Sequence, residues 1–300
     1  MNIWNCFHGC KKYSDGCKNC YMYYLDKSHG LNDSNNVYKV KTQFDFPLKT
    51  VYGKYKIKSG DEIQVGLNTD FFITKEESGV DNIDEWRNEV WNIVKMRPDV
   101  KFIFLTKRAF NVNNCLPDDW GNGYENVRLG LTIENQKAAD ERIKTFLDVK
   151  AKHKYIFCAP LLSNINLNEV LSSGQIELVM CGGENYGKDT RICKYEWVKN
   201  ISEQCKKYNI TFSFIETGTR WVDKDNNLII MPSKIVESKE AYRTNLSFLG
   251  KETKWNLSNI NENNKYEKWF APWCKECGSL YSCNGCNLCG KCKRRLEDYE

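Results

Sequence analysis

Three cysteines near the amino terminus are the strongest chemical signal in this sequence. Cys10, Cys17 and Cys20 stand in a C-x6-C-x2-C spacing within one short stretch. Three thiolates this close in sequence are typical ligands of an iron–sulfur cluster or of zinc. Gly9 and Gly16 directly precede two of the cysteines, which suits a backbone that wraps closely around a metal centre. A disulfide pair with one spare thiol is the alternative.

A second group of cysteines lies at the carboxyl end of the chain. The chain contains 15 cysteines, which is an odd number. Most of them lie in groups near the two ends, with single cysteines between the groups. The carboxyl-terminal cysteines are Cys274, Cys277, Cys283, Cys286, Cys289 and Cys292. They form two C-x-x-C-Gly knuckles, which suit tetrahedral zinc, and three consecutive C-x-x-C steps, which are close to ferredoxin spacing. We predict a small C-terminal metal module that holds either zinc or a second iron–sulfur cluster.

Composition limits the class of protein. Hydrophobic residues make up 41% and aromatic residues 13% of the chain, as in a globular protein. The net charge of +5 is mild, so it permits a nucleic-acid or phosphate partner without indicating one. No basic-then-apolar leader opens the chain and no apolar run has the length of a membrane span. We therefore expect a cytoplasmic protein with no membrane partner.

The elements that must position the cysteines follow an alternating pattern. Between residues 62 and 215, short apolar strands alternate with helical stripes, which indicates βαβ units and a parallel sheet. With a first strand at residues 3–5, the pattern predicts an α/β fold with a partial or full parallel (βα) barrel of about six to seven strands. An open doubly wound sheet is the alternative, but no Gly-x-Gly-x-x-Gly turn follows the first strand.

Three regions follow from this pattern. Residues 1–222 form the predicted barrel core, with residues 31–60 mostly in loops. Residues 223–268 are predicted to contain a hairpin, a helix and a polar linker rich in Asn, Glu and Lys. Residues 269–300 form the cysteine-rich tail.

The predicted strands end in residues that can do chemistry. These are the cysteine stretch, Asp70, Lys107 with Arg108, Glu134 with Asn135, Cys158, Glu184 and Glu216. For any one of them, a helix cap or a surface ion pair is a simpler interpretation. Because ligands bind at the carboxyl ends of the strands in parallel barrels, their shared position favours one common mouth.

The cysteine stretch after a first strand, followed by repeating strand–helix units, resembles the radical S-adenosylmethionine (SAM) superfamily. That superfamily usually has a C-x3-C-x2-C spacing with an aromatic residue before the last cysteine, whereas here the first gap is longer and Tyr21 follows the last cysteine. Both features resemble a narrower group of phage- and bacteria-encoded proteins that open with Trp-Asn, Gly-Cys and Ser-x-Gly-Cys-x-x-Cys-Tyr. Further similar blocks occur in the same order at residues 105–108, 116–121, 134–142, 160–162 and 182–184.

The resemblance implies a radical SAM enzyme. In the superfamily, three thiolates hold a 4Fe-4S cluster, and SAM binds the iron that lacks a protein ligand. One electron from the cluster cleaves SAM, and the 5′-deoxyadenosyl radical takes hydrogen from a substrate. The implied cluster ligands are Cys10, Cys17 and Cys20, and the implied electron donor is a reductant such as flavodoxin or ferredoxin. We interpret Cys6 as structural, since a fourth ligand would close the site.

The resemblance also implies roles for the strand ends. Asp70, Lys107, Arg108, Glu134 and Asn135 are the implied SAM-binding residues. Either Lys107 or Arg108 would pair with the SAM carboxylate, and Glu134 or Asn135 would bind the ribose hydroxyls.

Glu184 and Glu216 are the candidate catalytic side chains. The substrate is expected to be a nucleotide, a nucleic acid or a peptide. The alternative function is a metal-stabilised nucleic-acid-binding protein without catalysis.

Overall fold

The computed structural model describes residues 2–187 and 189–261. The strands in these residues are β1 (Asn2–Trp4), β2 (Phe7–His8), β3 (Tyr38–Lys39), β4 (Thr50–Val51), β5 (Lys54–Tyr55), β6 (Glu62–Val65), β7 (Lys101–Thr106), β8 (Val127–Thr132), β9 (His153–Cys158), β10 (Leu178–Gly182), β11 (Ile192–Lys194), β12 (Thr211–Glu216), β13 (Arg220–Val222) and β14 (Leu228–Ile230). The α-helices are α1 (Tyr21–Ser28), α2 (Lys75–Ser78), α3 (Ile83–Met96), α4 (Gln136–Asp148), α5 (Asn168–Ser172), α6 (Tyr195–Lys207) and α7 (Lys234–Arg243). The predicted metal module at residues 269–300 lies outside the part of the chain that the structure describes.

Seven parallel strands form the central sheet, in the order β1-β6-β7-β8-β9-β10-β12. The sheet curls into a half-barrel, and β1 and β12 are its two edges. The predicted α/β class and the partial parallel barrel are therefore confirmed. The first strand, expected at residues 3–5, lies at Asn2–Trp4, because apolar patterns locate element ends only to within one or two residues.

The two faces of the sheet carry two separate apolar clusters. Phe102, Phe104 and Leu129 belong to the main core, which includes buried residues of helices α3, α4 and α6. The alternate residues Ile103 and Tyr155 belong to a second cluster with Leu178 and Met180 of β10. Because successive side chains of a strand point to opposite faces, the second cluster lines the concave side of the half-barrel. Burial on both faces explains why these strands are almost continuously apolar.

The remaining strands form small sheets beside the half-barrel. β2 pairs with β3 and β4 pairs with β5, so residues 31–60 are mostly loop, as predicted. β13 and β14 pair antiparallel, with Val222 opposite Leu228, so the hairpin begins at Arg220, before the predicted region 223–268. In the described ranges no helix combines the length and the apolar character that crossing a membrane requires.

Residues 250–261, here called the strap, run across the amino-terminal ends of the strands. Three backbone N–H groups of the strap donate hydrogen bonds: Lys251 to the Asn209 carbonyl (2.8 Å), Ser258 to the Pro98 carbonyl (3.2 Å) and Asn261 to Ser59 Oγ (3.1 Å). Asn209, Pro98 and Ser59 precede β12, β7 and β6 respectively. The described part of the predicted polar linker therefore packs against the half-barrel.

Trp255 anchors the strap. Its ring stacks on His153 with 4.0 Å between centroids, and the side-chain cations of Arg128 and Lys101 lie 4.8 Å and 5.4 Å from it. Trp255 also packs against the apolar cluster of the concave face. The tryptophan thus covers the amino-terminal end of the half-barrel interior.

Trp255→Ala should destabilise the protein by roughly 2 kcal/mol, because it removes apolar contacts and two cation–π interactions. Urea denaturation followed by circular dichroism measures the change. The control is Lys254→Ala, an exposed neighbour in the strap, which should change stability by less than about 0.5 kcal/mol. Equal effects of the two variants would show that the tryptophan does not anchor the strap.

Candidate functional site

The three amino-terminal cysteines lie on one loop at the carboxyl end of β1. This cysteine loop, residues 9–20, follows β2 and leads into α1. Gly9 has φ +87°, and a Cβ there would lie 2.0 Å from the Asn36 carbonyl oxygen. A Cβ at Gly16 would lie 3.3 Å from Cδ of Glu134. Both glycines allow a close approach, as predicted, but the approach is to other parts of the protein.

The three thiols are free, and the charge of Cys17 acts on the other two. No disulfide involves Cys10, Cys17 or Cys20. Burial raises the pKa of Cys10 to about 11, and the charges of Asp70 and Cys17 add to the increase. Burial also raises the pKa of Cys20, and Cys17 again adds to it. The backbone N–H of Tyr13 donates a hydrogen bond to Cys17 Sγ (3.5 Å).

Arg108 joins the cysteine loop to two strand ends. Its guanidinium is buried and donates to Asp70 Oδ2 (3.0 Å), to Glu77 Oε1 (3.0 Å) and to the Lys11 carbonyl (2.9 Å). It also lies 4.9 Å from the ring centroid of Tyr13. Asp70 is occupied as well, since it accepts hydrogen bonds from the Thr106 hydroxyl and the Lys107 backbone. Arg108 and Asp70 are therefore held in place by each other and by the loop.

Arg142 and Glu134 form a second buried pair beneath the loop. The Arg142 guanidinium donates to both carboxylate oxygens of Glu134, at 2.8 Å and 3.1 Å, and both residues are at most 2% exposed. Burial raises the pKa of Glu134, but the hydrogen bonds of Arg142 and Ser14 and the charges of Arg142 and Lys107 together outweigh it and leave the pKa below its ordinary value. The Gly16 N–H lies 3.5 Å from Glu134 Oε1, and Arg142 lies 5.3 Å from the Tyr13 ring centroid.

Lys107 and Asn135 complete the predicted SAM-binding set. The Asn135 side-chain oxygen accepts a hydrogen bond from the Ala138 N–H (2.8 Å) and so caps α4. The Lys107 ammonium forms no hydrogen bond or ion pair with any residue that the structure describes, although its charge lowers the pKa of both Cys20 and Glu134. Lys107 is thus a cation beside the cysteine loop that remains available to a ligand.

Glu184 links the end of β10 to the cysteine loop. It is 5% exposed, and its Oε2 accepts hydrogen bonds from Asn19 Nδ2 (2.8 Å) and from the Arg191 backbone (2.9 Å). The Arg191 guanidinium also pairs with the Glu184 carboxylate. Burial raises the pKa of Glu184, but the hydrogen bonds from Arg191 and Asn19 together with the Arg191 charge outweigh it, and the net shift is downward. Glu184 is an ionised, tethered group that is poorly suited to donate a proton.

Glu216 has different surroundings. It ends β12 next to Lys234, whose Nζ lies 3.4 Å from Glu216 Oε2. Burial raises the pKa of Glu216 above its ordinary value, although Lys234 lowers it. Of the two candidate catalytic carboxyls, Glu184 therefore has a lowered pKa and Glu216 has a raised pKa.

The structure brings the predicted strand ends to one edge of the sheet, with the cysteine loop against them. The predicted ligands of the tail, Cys274, Cys277, Cys283, Cys286, Cys289 and Cys292, lie outside the described residues. Cys6 is fully buried in the main core, as its structural interpretation requires. Within residues 2–187 and 189–261, no three His, Cys, Asp or Glu side chains are placed to hold a single metal ion.

Sequence reasoning missed the groups that hold the predicted residues in place. Arg142 carries a recognisable signal, because it occupies the buried stripe of α4 with Ala138, Ala139 and Phe146. A charged residue within an apolar stripe needs a buried partner of opposite charge. Arg191 lies in an irregular segment before β11, and its sequence neighbours carry no comparable signal.

Comparison with protein-family models gives one match. A family model described as "Protein of unknown function (DUF5131)" matches residues 1–268. No curated protein and no solved structure matches the chain.

Arg142→Met should destabilise the protein by roughly 3 to 5 kcal/mol, because it leaves the Glu134 carboxylate buried without its partner. Adding Glu134→Gln to that variant should recover part of the loss, since the charge is then gone. Urea denaturation at pH 7 measures both variants. If the double variant is no more stable than Arg142→Met, lost packing rather than an unpaired charge accounts for the effect.

Proposed function

The chain belongs to this family of proteins of unknown function, and from its candidate site we propose that it is a radical SAM enzyme. The observation that carries the proposal is a loop with three free cysteines held against the carboxyl edge of a parallel half-barrel. Ligands of parallel α/β barrels bind at that edge.

The cysteine loop suits a 4Fe-4S cluster. It offers three thiols and no fourth cysteine, because Cys6 is directed into the core. A cluster binds its cysteines through separate irons, so the sulfurs need not converge on one point as they do around zinc. The Tyr13 N–H that donates to Cys17 Sγ is the kind of hydrogen bond that tunes a cluster potential. Cys10, Cys17 and Cys20 are the proposed ligands.

When bound, the cluster and SAM supply one-electron cleavage of a carbon–sulfur bond and a carbon radical that takes hydrogen from a substrate. The protein supplies position and shielding. Arg108 and Arg142 hold the cysteine loop, and the apolar concave face offers a surface from which water is excluded. The electron would come from a small reductant protein such as a flavodoxin or a ferredoxin.

Lys107 is the proposed partner of the SAM carboxylate. It is a cation beside Cys20 with no ion-pair partner among the described residues, whereas Arg108 is fully engaged by Asp70 and Glu77. A carboxylate ligand near Lys107 would gain a charge-assisted hydrogen bond.

Asp70, Arg108 and Glu134 are better explained as positioning residues than as direct SAM ligands, since their polar atoms already have protein partners. The Asn135 side-chain oxygen is used as a helix cap. The nitrogen of that side chain remains available for a ribose hydroxyl.

Anaerobic reconstitution with iron and sulfide tests the cluster. The wild-type protein should bind iron and, once reduced with dithionite, form 5′-deoxyadenosine from SAM. Cys17→Ala should lose the iron and the absorbance of one 4Fe-4S cluster relative to wild type, together with all SAM cleavage, whatever metal the tail cysteines hold. The control is Cys6→Ala, which removes a core thiol and should keep both. Iron binding without any SAM cleavage would favour the alternative, a metal-stabilised nucleic-acid-binding protein.

Lys107→Met should weaken SAM binding about tenfold or more while iron content stays at the wild-type level, because it removes one charge-assisted hydrogen bond. Equilibrium binding of SAM to the reconstituted protein measures the change. Lys137→Met, an exposed lysine on α4, is the control and should bind SAM normally. Unchanged affinity of the Lys107 variant would remove this residue from the SAM site.

A further inference from the structure

Two carboxyl-bearing residues from different elements lie near the carboxyl end of β12, where the N–H of Thr217, the residue after Glu216, donates a hydrogen bond to the Glu237 backbone carbonyl (3.4 Å). Glu216 ends that strand, and Glu237 lies in the first turns of α7. A register shift between β10 and β12 sets Cys181 opposite Phe214 but Gly182 opposite Glu216, so Ile215 is an extra residue. Such a bulge re-aims the side chains that follow it. It places Glu216 in register with Gly182, on the same side as Met180 and the concave face.

Glu237 is almost fully buried. It is 2% exposed, and its Oε1 accepts a hydrogen bond from the Thr219 hydroxyl (3.1 Å). Its Oε2 is buried and has no hydrogen-bond partner among the described residues. Burying an ionised carboxylate with one oxygen that accepts no hydrogen bond costs free energy, whereas burying the protonated carboxyl costs much less. The burial alone therefore favours a proton on Glu237.

Opposing effects on the pKa of Glu237 place it near neutral pH. Burial raises the pKa of Glu237 to about 7, and the charge of Glu216 adds to the increase, while Thr219, Asn185 and Lys234 oppose it. Lys234 comes from α7, Thr219 from the turn before β13, and Asn185 from the segment after β10. Asn185 lies close enough to lower the pKa of both Glu237 and Glu216, although its Nδ2 has no partner in the described ranges with the geometry of a full hydrogen bond.

We propose that Glu216 and Glu237 form one acid–base site that exchanges a single proton with a substrate on the concave face. Glu216 is the group that meets the substrate, and Glu237 is a positioning residue that shares its proton. The location of the substrate rests on the proposed radical SAM function. In the step, a carboxyl O–H bond breaks and an N–H or O–H bond forms on the substrate. Both electrons of the broken bond stay on the carboxylate.

An ion pair with a purely structural role would not need this arrangement. The Lys234 side chain is 53% exposed and Glu216 is 12% exposed, so their contact lies at the surface of the mouth. Because Lys234 is half in water, solvent screens its charge and the pair contributes little stability, although Glu216 itself is largely buried. The second carboxyl, that of Glu237, adds repulsion, and such arrangements of two carboxyls that share a proton are typical of acid–base sites.

Infrared difference spectroscopy of the full chain, without iron or SAM, tests the site. As the pH of the wild-type protein is raised, the infrared band of a protonated carboxyl should disappear. Its midpoint should lie near pH 7, in line with a Glu237 pKa of about 7. Glu237→Gln should abolish this transition. Glu216→Gln should move the midpoint to lower pH by removing a negative charge, and Lys234→Met should move it to higher pH by removing a positive one.

The matched control is Glu240→Gln on the same helix, whose partner is Arg243, and it should leave the midpoint unchanged. A wild-type protein without a transition near neutral pH would overturn the proposal. Shifts of the same sign in Glu216→Gln and Lys234→Met would also overturn it.

Stability against pH provides a second measurement. The pKa of Glu237 is raised from an ordinary value of 4.5 to about 7, so the folded protein holds this proton more tightly than the unfolded chain. Folding stability should therefore fall as pH rises from about 4.5 to 7. Thermal unfolding of Glu237→Gln should lack this part of the slope. An identical slope in the variant and the wild type would contradict the assignment.

The acid–base site and the radical SAM function can fail separately. A neutral-pH transition without any SAM cleavage would leave the acid–base site and remove the radical function. SAM cleavage without a neutral-pH transition would support the radical SAM function and overturn the acid–base site. If both are present, the substrate-dependent rate should depend on a group of pKa near 7 in the wild type and lose that dependence in Glu237→Gln.

Discussion

Two buried arginine–carboxylate pairs determine where the cysteine loop lies. Arg108 with Asp70 and Arg142 with Glu134 connect strand ends to the loop through the Lys11 carbonyl and the Tyr13 ring. Buried ion pairs add little net stability against apolar replacements, but removing one partner is costly. Their value here is geometric, because each planar guanidinium holds several groups in one arrangement.

At the carboxyl edge of the half-barrel, some polar side chains are held by protein partners and others are not. The atoms of Arg108, Glu134 and Glu184 are committed to protein partners, and these residues form the frame of the mouth. Lys107 has no hydrogen bond or ion pair among the described residues and Glu216 pairs with the half-exposed Lys234, and these two are the groups that we propose contact a ligand. The chemistry of the site therefore depends on fewer residues than the strand-end pattern indicates, and the other residues position them.

Much of the fold could be predicted because strand and helix periodicities are local. The apolar runs around Phe102 and Leu129 and the helical stripe of α3 identify βαβ units without any knowledge of contacts. The polar composition of residues 251–261 is misleading. It suggests a linker, but one tryptophan, Trp255, and a few backbone hydrogen bonds are enough to pack the strap against the half-barrel.

The sequence by itself determined the α/β class, the parallel order of units and the gathering of chemical groups at one edge, since these follow from periodicity and chain direction. Only the tertiary structure decided which groups are paired. Arg142 meets Glu134 across eight positions, Arg191 meets Glu184 across an irregular segment, and the charge of Glu216 acts on Glu237, which lies on a separate helix. Partnership between buried charges depends on how the elements pack together, and local sequence patterns do not encode that packing.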